Sequence, residues 1–474
     1  MPEPGLRDRI LDFVASCRQP VLKEDGAEPL AISAERFELG TESDGLLLEA
    51  WDDRRTVSRR IFSVRSANVR GIVLVSRKFG GRETEITIAD TALRGKHLDR
   101  SLSRKDFRER FRALLGRQFP GATIEKLSAE RDLQRSFSEH YTRAVLKQGQ
   151  HIWAAIGCSE GEGQTAAAAI LTQGLLWLDH TRATALHLFV PESAAATTAH
   201  RIAWLNPNRA AYHLLPVPSS DGFSQAIEPL KPVDIANRGN LRTELRAPRV
   251  TASILPDSRE RLREIAAFPG VEEEITPRGE LSLRYRGLEV AHADADGVAV
   301  AETPLAEIAR IRQPDSTERR NPLYSRSAER WMESLLKQDV TPLSLDLAGS
   351  PVYSQILSEA GRARGVMDLL AITTAGRLVV IELKADEDQN LALQALDYWM
   401  RVRWHLERGD FESCGFFQGR VISKQPPLLW LVFPSIRLHP ANDIVLKYVS
   451  PQVPVSRLGI NEDWRKGIRV VFRA

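Results

Sequence analysis

Cysteine is scarce: Cys17, Cys158 and Cys414 are the only three in 474 residues. They lie far apart and form no Cys-X-X-Cys pair, which argues against a disulfide framework or a zinc ribbon and fits a reducing cytoplasm. No apolar run approaches the roughly 20 residues that a membrane helix needs, so no membrane partner is expected. The N-terminal residues lack the cationic-then-apolar order of a secretion signal, and the spacing of Leu6, Ile10, Leu11, Phe13 and Val14 predicts an amphipathic helix instead. A charge of one sign is also missing. With 65 Lys and Arg against 62 Asp and Glu, the net charge is +3, so any nucleic-acid surface has to be local. The Gly-rich run from Gly157 to Thr165 has Gln164 where a phosphate-binding loop needs lysine, and Glu160 and Glu162 would repel phosphate. His180, His187 and His200 have no partner at ligand spacing and read as core or surface residues.

What is present suggests an α+β multidomain chain, long enough for about three domains. Residues 1–125 read as a β-rich domain closed by a helix over Arg104–Arg117. Its strands hold Arg54, Arg55, Arg59, Arg60, Arg65, Arg70, Arg77, Lys78 and Arg82, with Trp51, Phe62 and Phe79 among them. That composition suits a phosphate backbone and stacked bases, or simply a solvated strand face. Residues 126–245 read as an α/β domain of unassigned role, with a polar helix around Asp132–Lys147, strands at His151–Ile156 and Leu186–Val190, and helices at Thr165–Trp177 and Ala195–Trp204. Residues 246–315 form a small β-rich segment, with strands at Val250–Leu255 and Leu281–Arg286. In the latter, Arg284 and Arg286 share a face that could touch nucleic acid or lie at a solvated edge. The Pro-bracketed polar stretch Gln313–Pro322 reads as a linker. Residues 320–474 form the last domain, an α/β core with a mixed sheet.

Within that domain, Gly365-Val-Met-Asp368-Leu-Leu-Ala-Ile372 and Leu378-Val-Val-Ile-Glu382-Leu-Lys384 are two buried-strand runs joined by the turn residues Thr374-Ala375-Gly376. A hairpin symmetric about Ala375 sets Asp368 opposite Glu382. Opposed carboxylates are destabilising on a sheet, and burying them costs several kcal/mol per ion, roughly, unless a cation or proton neutralises them. Alternation places Asp368, Glu382 and Lys384 on one face, with Val379, Ile381 and Leu383 on the other, so one face is expected to be apolar and the other polar.

Asp followed on the next strand by Glu-X-Lys resembles the core motif of the PD-(D/E)XK, or restriction-endonuclease-like, superfamily. The resemblance covers about the last third of the chain. Met367 stands where the proline naming the motif would be. It implies a metal-dependent nuclease that hydrolyses DNA phosphodiester bonds, of the repair, restriction or defence type, with upstream domains selecting the substrate. Such domains often pair to cut two strands, which is compatible with a homodimer. By this resemblance Asp368 and Glu382, with the Leu383 carbonyl, would hold Mg²⁺ or Mn²⁺, and Lys384 would orient or deprotonate water. An outer carboxylate would come from Glu329 or, one turn on, Glu333. Gln394 and Tyr398 match a Gln-and-Tyr pair found in some branches. Gln394 would hold water or a phosphate, with Arg401 and His405 extending the same helical face. Arg362, Arg364 and Arg377 flank the hairpin as candidate phosphate contacts, with Tyr398 and Arg401. The alternative is a catalytically silent nucleic-acid-binding or protein-interaction module with a nuclease-like fold, in which Glu382 and Lys384 are an ordinary surface pair.

Overall fold

The computed structural model describes residues 6–474 apart from 18–19, 25–29, 33–36, 43–44, 52–55, 69–70, 78–82, 91, 163, 219–224, 232–242, 246–255, 277–278, 295–296 and 361–362. The strand expected at Val250–Leu255 lies outside the described residues. The chain divides into two compact units, Met1–Phe107 and Arg108–Ala474.

In the first unit seven strands form one open antiparallel sheet, in the order Leu30–Ala31, Pro20–Glu24, Glu83–Asp90, Gly71–Arg77, Thr56–Asn68, Gly45–Trp51 and Phe37–Glu42. The helix Leu6–Ser16 covers it through Leu6 and Ile10, which join Leu22, Leu48, Ile61, Leu74, Ile86 and Ile88 in a separate core. Alternating apolar residues on the strands leave the other positions for charge.

The helix Ala92–Gln118 carries the chain into the second unit. There Thr123–Ser128 pairs with Tyr141–Gln148 as the edge of a five-stranded sheet, so that sheet begins before the boundary expected at residue 125. Tyr141–Gln148 was expected to be helical and is a strand. It pairs antiparallel with His151–Cys158 across the Gly149 turn, and its central Arg143 is buried because carbonyls and aromatic rings surround the guanidinium. Ala185–Pro191 and Ala211–Val217 extend the sheet in parallel, connected by the helices Gln164–Thr181 and Glu192–Ile202. Phe111 packs edge-on to Phe189 with centroids 5.1 Å apart, and a Cβ on Gly157 would lie 2.8 Å from the Phe111 ring, so glycine is what lets that ring approach.

A four-stranded antiparallel sheet follows, Val271–Ile275, Leu281–Tyr285, Leu288–Ala293 and Val298–Val300. The stretch Gln313–Pro322 is not a free linker. Arg312, fully buried at its head, donates to the carbonyls of Leu323, Arg326 and Arg286 and so ties this sheet to the domain that follows.

The last sheet has seven strands in the order Thr243–Leu245, Tyr353–Ala360, Ala363–Ile372, Leu378–Leu383, Leu428–Pro434, Val455–Ile460 and Val470–Arg473. It is mixed: Leu378–Leu383, Leu428–Pro434 and Val455–Ile460 run parallel and the other pairings are antiparallel. Helices cover both faces. The leading helix, Ala328–Gln338, sets Trp331, Met332 and Leu336 against Leu369, Ala371, Val379, Ile381 and Leu383. On the other face the following helix, Leu391–Arg408, packs Leu396 and Trp399 into a core with Leu370, Ile372, Leu378 and Val380. One apolar and one polar face was therefore the wrong expectation for this hairpin. A central strand covered on both sides reads as a continuous apolar run, and the charged groups occur where its ladder ends. The same core also contains Trp177, Leu188 and Trp204, so the five-stranded and seven-stranded sheets share one apolar interior.

Candidate functional site

The hairpin has the expected register. Leu369 faces Ile381 and Ile372 faces Leu378, symmetric about Ala375. Gly376, at φ +82°, closes the turn, and a Cβ there would lie 2.2 Å from the Val421 carbonyl oxygen, so only glycine fits. One residue beyond the last ladder pair the backbones part. The Leu383 amide donates to Asp368 Oδ2 at 2.9 Å and the Lys384 amide turns to the Val432 carbonyl at 3.0 Å. Asp368 thus closes the strand end with its side chain.

Glu382 is 1% exposed, and its Oε2 is buried with no hydrogen-bond partner. Burial, reinforced by the Asp368 charge, pushes its carboxyl well above the usual range. Burial likewise raises Asp368 to about 6, against the pull of the Leu383 amide and Lys384. The Lys384 ammonium lies 3.7 Å from Glu329 Oε1, 3.9 Å from Glu382 Oε1 and 3.9 Å from Asp388 Oδ2. Burial disfavours that charge, yet Glu329, Glu382, Asp368 and Asp388 together raise its pKa above the ordinary value. Lys384 is therefore held as an ammonium ion.

Of the two candidate outer carboxylates, Glu329 is the one beside Lys384. Glu333 is buried, pairs with Arg330 at 3.0 Å and is raised by burial to about 7. Gln394 Nε2 donates to the Tyr398 hydroxyl at 3.4 Å. Burial and the charges of Glu382 and Asp368 push that phenol up to about 12, which places Tyr398 within electrostatic reach of both carboxylates. Arg401 is only 7% exposed, with its guanidinium 5.8 Å from the Tyr398 ring, and is not a surface cation. His405 is buried and bonded to Asp410 at 2.7 Å, so it does not extend an open helical face.

Arg377 donates to the Pro426 carbonyl at 2.7 Å and braces the turn. Arg362 lies outside the described residues, and Arg364 is described only by its strand pairing with Glu359. Arg284 is paired with Glu274 at 3.0 Å, and Arg286, in the turn after its strand, donates to the Arg312 carbonyl, so both serve structural contacts. In the first unit Arg54, Arg55, Arg70, Lys78, Phe79 and Arg82 lie outside the described residues. Arg65 pairs with Glu85, and Arg60 is the register partner of Arg77.

Asp388 was missed by sequence reasoning. Its position four residues after Lys384 was the available signal, but the residues between are not helical, so the helical spacing rule gave no reason to connect them.

Among the described residues no three His, Cys, Asp or Glu side chains are grouped to hold a metal. A hard divalent cation does not require three, because Mg²⁺ keeps several waters and takes one or two carboxylates together with substrate phosphates. The residues fit such an ion: two carboxylates at one strand end are costly to ionise unpaired, and one buried oxygen has no hydrogen-bond donor.

No protein-family model matches the chain, and no curated protein matches it.

Proposed function

We propose that this protein is a metal-dependent nuclease hydrolysing nucleic-acid phosphodiester bonds, most simply DNA, with the site at the open end of the Asp368 to Lys384 hairpin. The observation that carries the reading is Glu382: a carboxylate 1% exposed, with one oxygen unpartnered, beside Asp368 and a lysine. An isolated buried carboxylate is a liability that folding alone would not favour. Perturbed carboxylates clustered with a cation are typical of catalytic sites.

Asp368, Glu382 and the Leu383 carbonyl would hold Mg²⁺ or Mn²⁺. When bound, the ion supplies Lewis acidity toward the phosphoryl oxygens and lowers the pKa of water. The chain's own groups do the remaining work. Lys384, kept as an ammonium by the surrounding acids, orients the attacking water as a hydrogen-bond donor and stabilises charge developing on the phosphate. Glu329 is more exposed and closest to Lys384 and holds its amine in place. Gln394, whose amide donates to the Tyr398 hydroxyl, would donate its other N–H to a phosphate oxygen or the attacking water.

The test is a panel of single-stranded, duplex and branched DNA and RNA with Mg²⁺ or Mn²⁺, wild type beside Asp368→Ala and Lys384→Ala. Divalent-dependent cleavage by the wild type, lost by about 10²-fold or more in either variant, is expected. Nucleic-acid binding that persists without any cleavage, equal in all three proteins, would instead favour the silent binding module.

A further inference from the structure

Three strands of the last sheet, Leu378–Leu383, Leu428–Pro434 and Val455–Ile460, run parallel and side by side, so the segments that leave their carboxyl ends gather at one edge of the sheet. In open α/β sheets that edge is where ligands bind. The first segment carries Lys384 and Asp386, the second Arg437 and the third Arg465, and the two outer strands are about 10 Å apart, two strand spacings. A direct bond ties the second segment to the first. Arg437 Nη1 donates to Asp386 Oδ1 at 3.2 Å, and Asp386 lies two residues beyond Lys384, whose amine is 3.9 Å from Glu382.

The second and third segments are braced. Glu462 accepts from the Ile436 amide at 3.0 Å and from the Ser435 hydroxyl at 3.3 Å, which fixes the turn that presents Arg437. Asn461 closes the other loop, donating to Asp463 at 2.7 Å and to the Gly467 carbonyl at 3.0 Å. On that loop the Arg465 guanidinium lies 4.3 Å from the Trp464 ring centroid, 4.8 Å from Tyr324 and 5.1 Å from Trp331, and all three rings are buried. Its Nε is buried, and among the described residues none of its nitrogens meets a carboxylate or another hydrogen-bond acceptor. Burial, with Arg319 and Arg437, disfavours this charge while Tyr324 and Asp386 favour it, and an arginine remains ionised throughout. Arg465 is thus a cation set in place by aromatic rings and lacking an anion. Arg437 has one in Asp386, but the two side chains are 50% and 82% exposed, and such a pair is weak and screened by salt.

Resting on the nuclease reading above, we infer that this edge binds the backbone phosphates of the substrate strand flanking the cleaved bond, with Arg465 as the preset contact and Arg437 leaving Asp386 to make a second. The planar guanidinium fork matches a phosphate, and one already held by stacking loses little freedom on binding. Asp386 competes with the strand for Arg437 and so restrains affinity.

The test uses full-length protein with Ca²⁺ in place of Mg²⁺ and fluorescein-labelled single-stranded and duplex oligonucleotides, with affinity read by anisotropy over a range of KCl concentrations. Arg437→Gln and Arg465→Gln are each expected to weaken binding severalfold and to make the slope of log affinity against log salt shallower by about 0.9 on duplex, or about 0.7 on single strands, the loss of one phosphate contact. Asp386→Asn is expected to tighten binding severalfold, and to have no such effect when Arg437→Gln is also present. Arg437 and Asp386 are exposed, so their variants remain informative if Arg465→Gln disturbs packing against its rings. Affinity and slope unchanged in Arg437→Gln, or tightening by Asp386→Asn that persists without Arg437, overturns the inference and leaves the nuclease reading standing. Failure of the wild type to bind any oligonucleotide overturns both.

Discussion

Asp368 accepts the Leu383 amide that ends the ladder, and it also supplies the charge that makes Glu382 harder to ionise. Burial raises Asp368 from 3.8 to about 6 and Glu333 from 4.5 to about 7. The folded protein therefore retains protons that the unfolded chain has released. From about pH 4 to pH 7 stability falls as pH rises, and above that range, with both groups ionised in both states, this contribution is level. Asp368→Asn keeps an oxygen for the Leu383 amide and removes the charge. In chelator it should melt above wild type by about 2–5 °C at pH 8, with the gap narrowing steadily toward pH 4. A divalent cation prefers the ionised carboxylates, so Mg²⁺ should raise the wild-type melting temperature more at pH 8 than at pH 5 and leave the variant unmoved. A gap independent of pH, or an equal cation response in Asp368→Asn, would remove Asp368 from the cation site.

Two helices join the upstream sheet to the hairpin domain. Arg201, on Glu192–Ile202, holds Asp397, on Leu391–Arg408, with bonds of 2.9 and 2.7 Å, and also donates to the Ala168 carbonyl at 2.6 Å. Both partners are mostly buried, so removing one leaves an uncompensated ion. Asp397→Ala should cost about 3–5 kcal/mol, whereas replacing both, as Arg201→Met with Asp397→Leu, should recover much of that loss. Urea titration measures both, and a single-variant cost below about 1 kcal/mol would show the pair to be screened. This joint was not legible in the sequence, because nothing in the chain links position 201 to position 397. The hairpin was legible because strand geometry has a period of two and its arms are equal about Ala375, which fixes Asp368, Glu382 and Lys384 on one side. That both faces of the sheet are covered was hidden, since an apolar strand does not declare which helices will pack on it. Tyr141–Gln148 was misread for a different reason. Arg143 looks like a solvated position, but it donates to the Ser138 carbonyl and lies 4.9 Å from the Phe137 ring centroid inside the fold.

At the scale of the whole chain, a net charge of +3 over 474 residues leaves affinity for nucleic acid to local surfaces. The first unit has its own core, distinct from the interior around the hairpin, and its sheet sets Arg60 directly across from Arg77. Arginines gathered on one sheet are the composition that suits a phosphate backbone, whose condensed counterions they release. If this sheet contributes to binding, a chain lacking residues 1–91, which keeps the helix Ala92–Gln118 whole, should still unfold cooperatively and still cleave a short oligonucleotide with Mg²⁺. Its affinity should fall, and the slope of log affinity against log salt should become shallower by about 0.9 for each duplex phosphate the shortened chain no longer neutralises, or about 0.7 on single strands. An unchanged slope would assign substrate binding to residues 92–474 alone and leave the arginines of the first sheet as a solvated face. Loss of cooperative unfolding would instead mean that the second unit depends on the first for its stability, in spite of the separate cores.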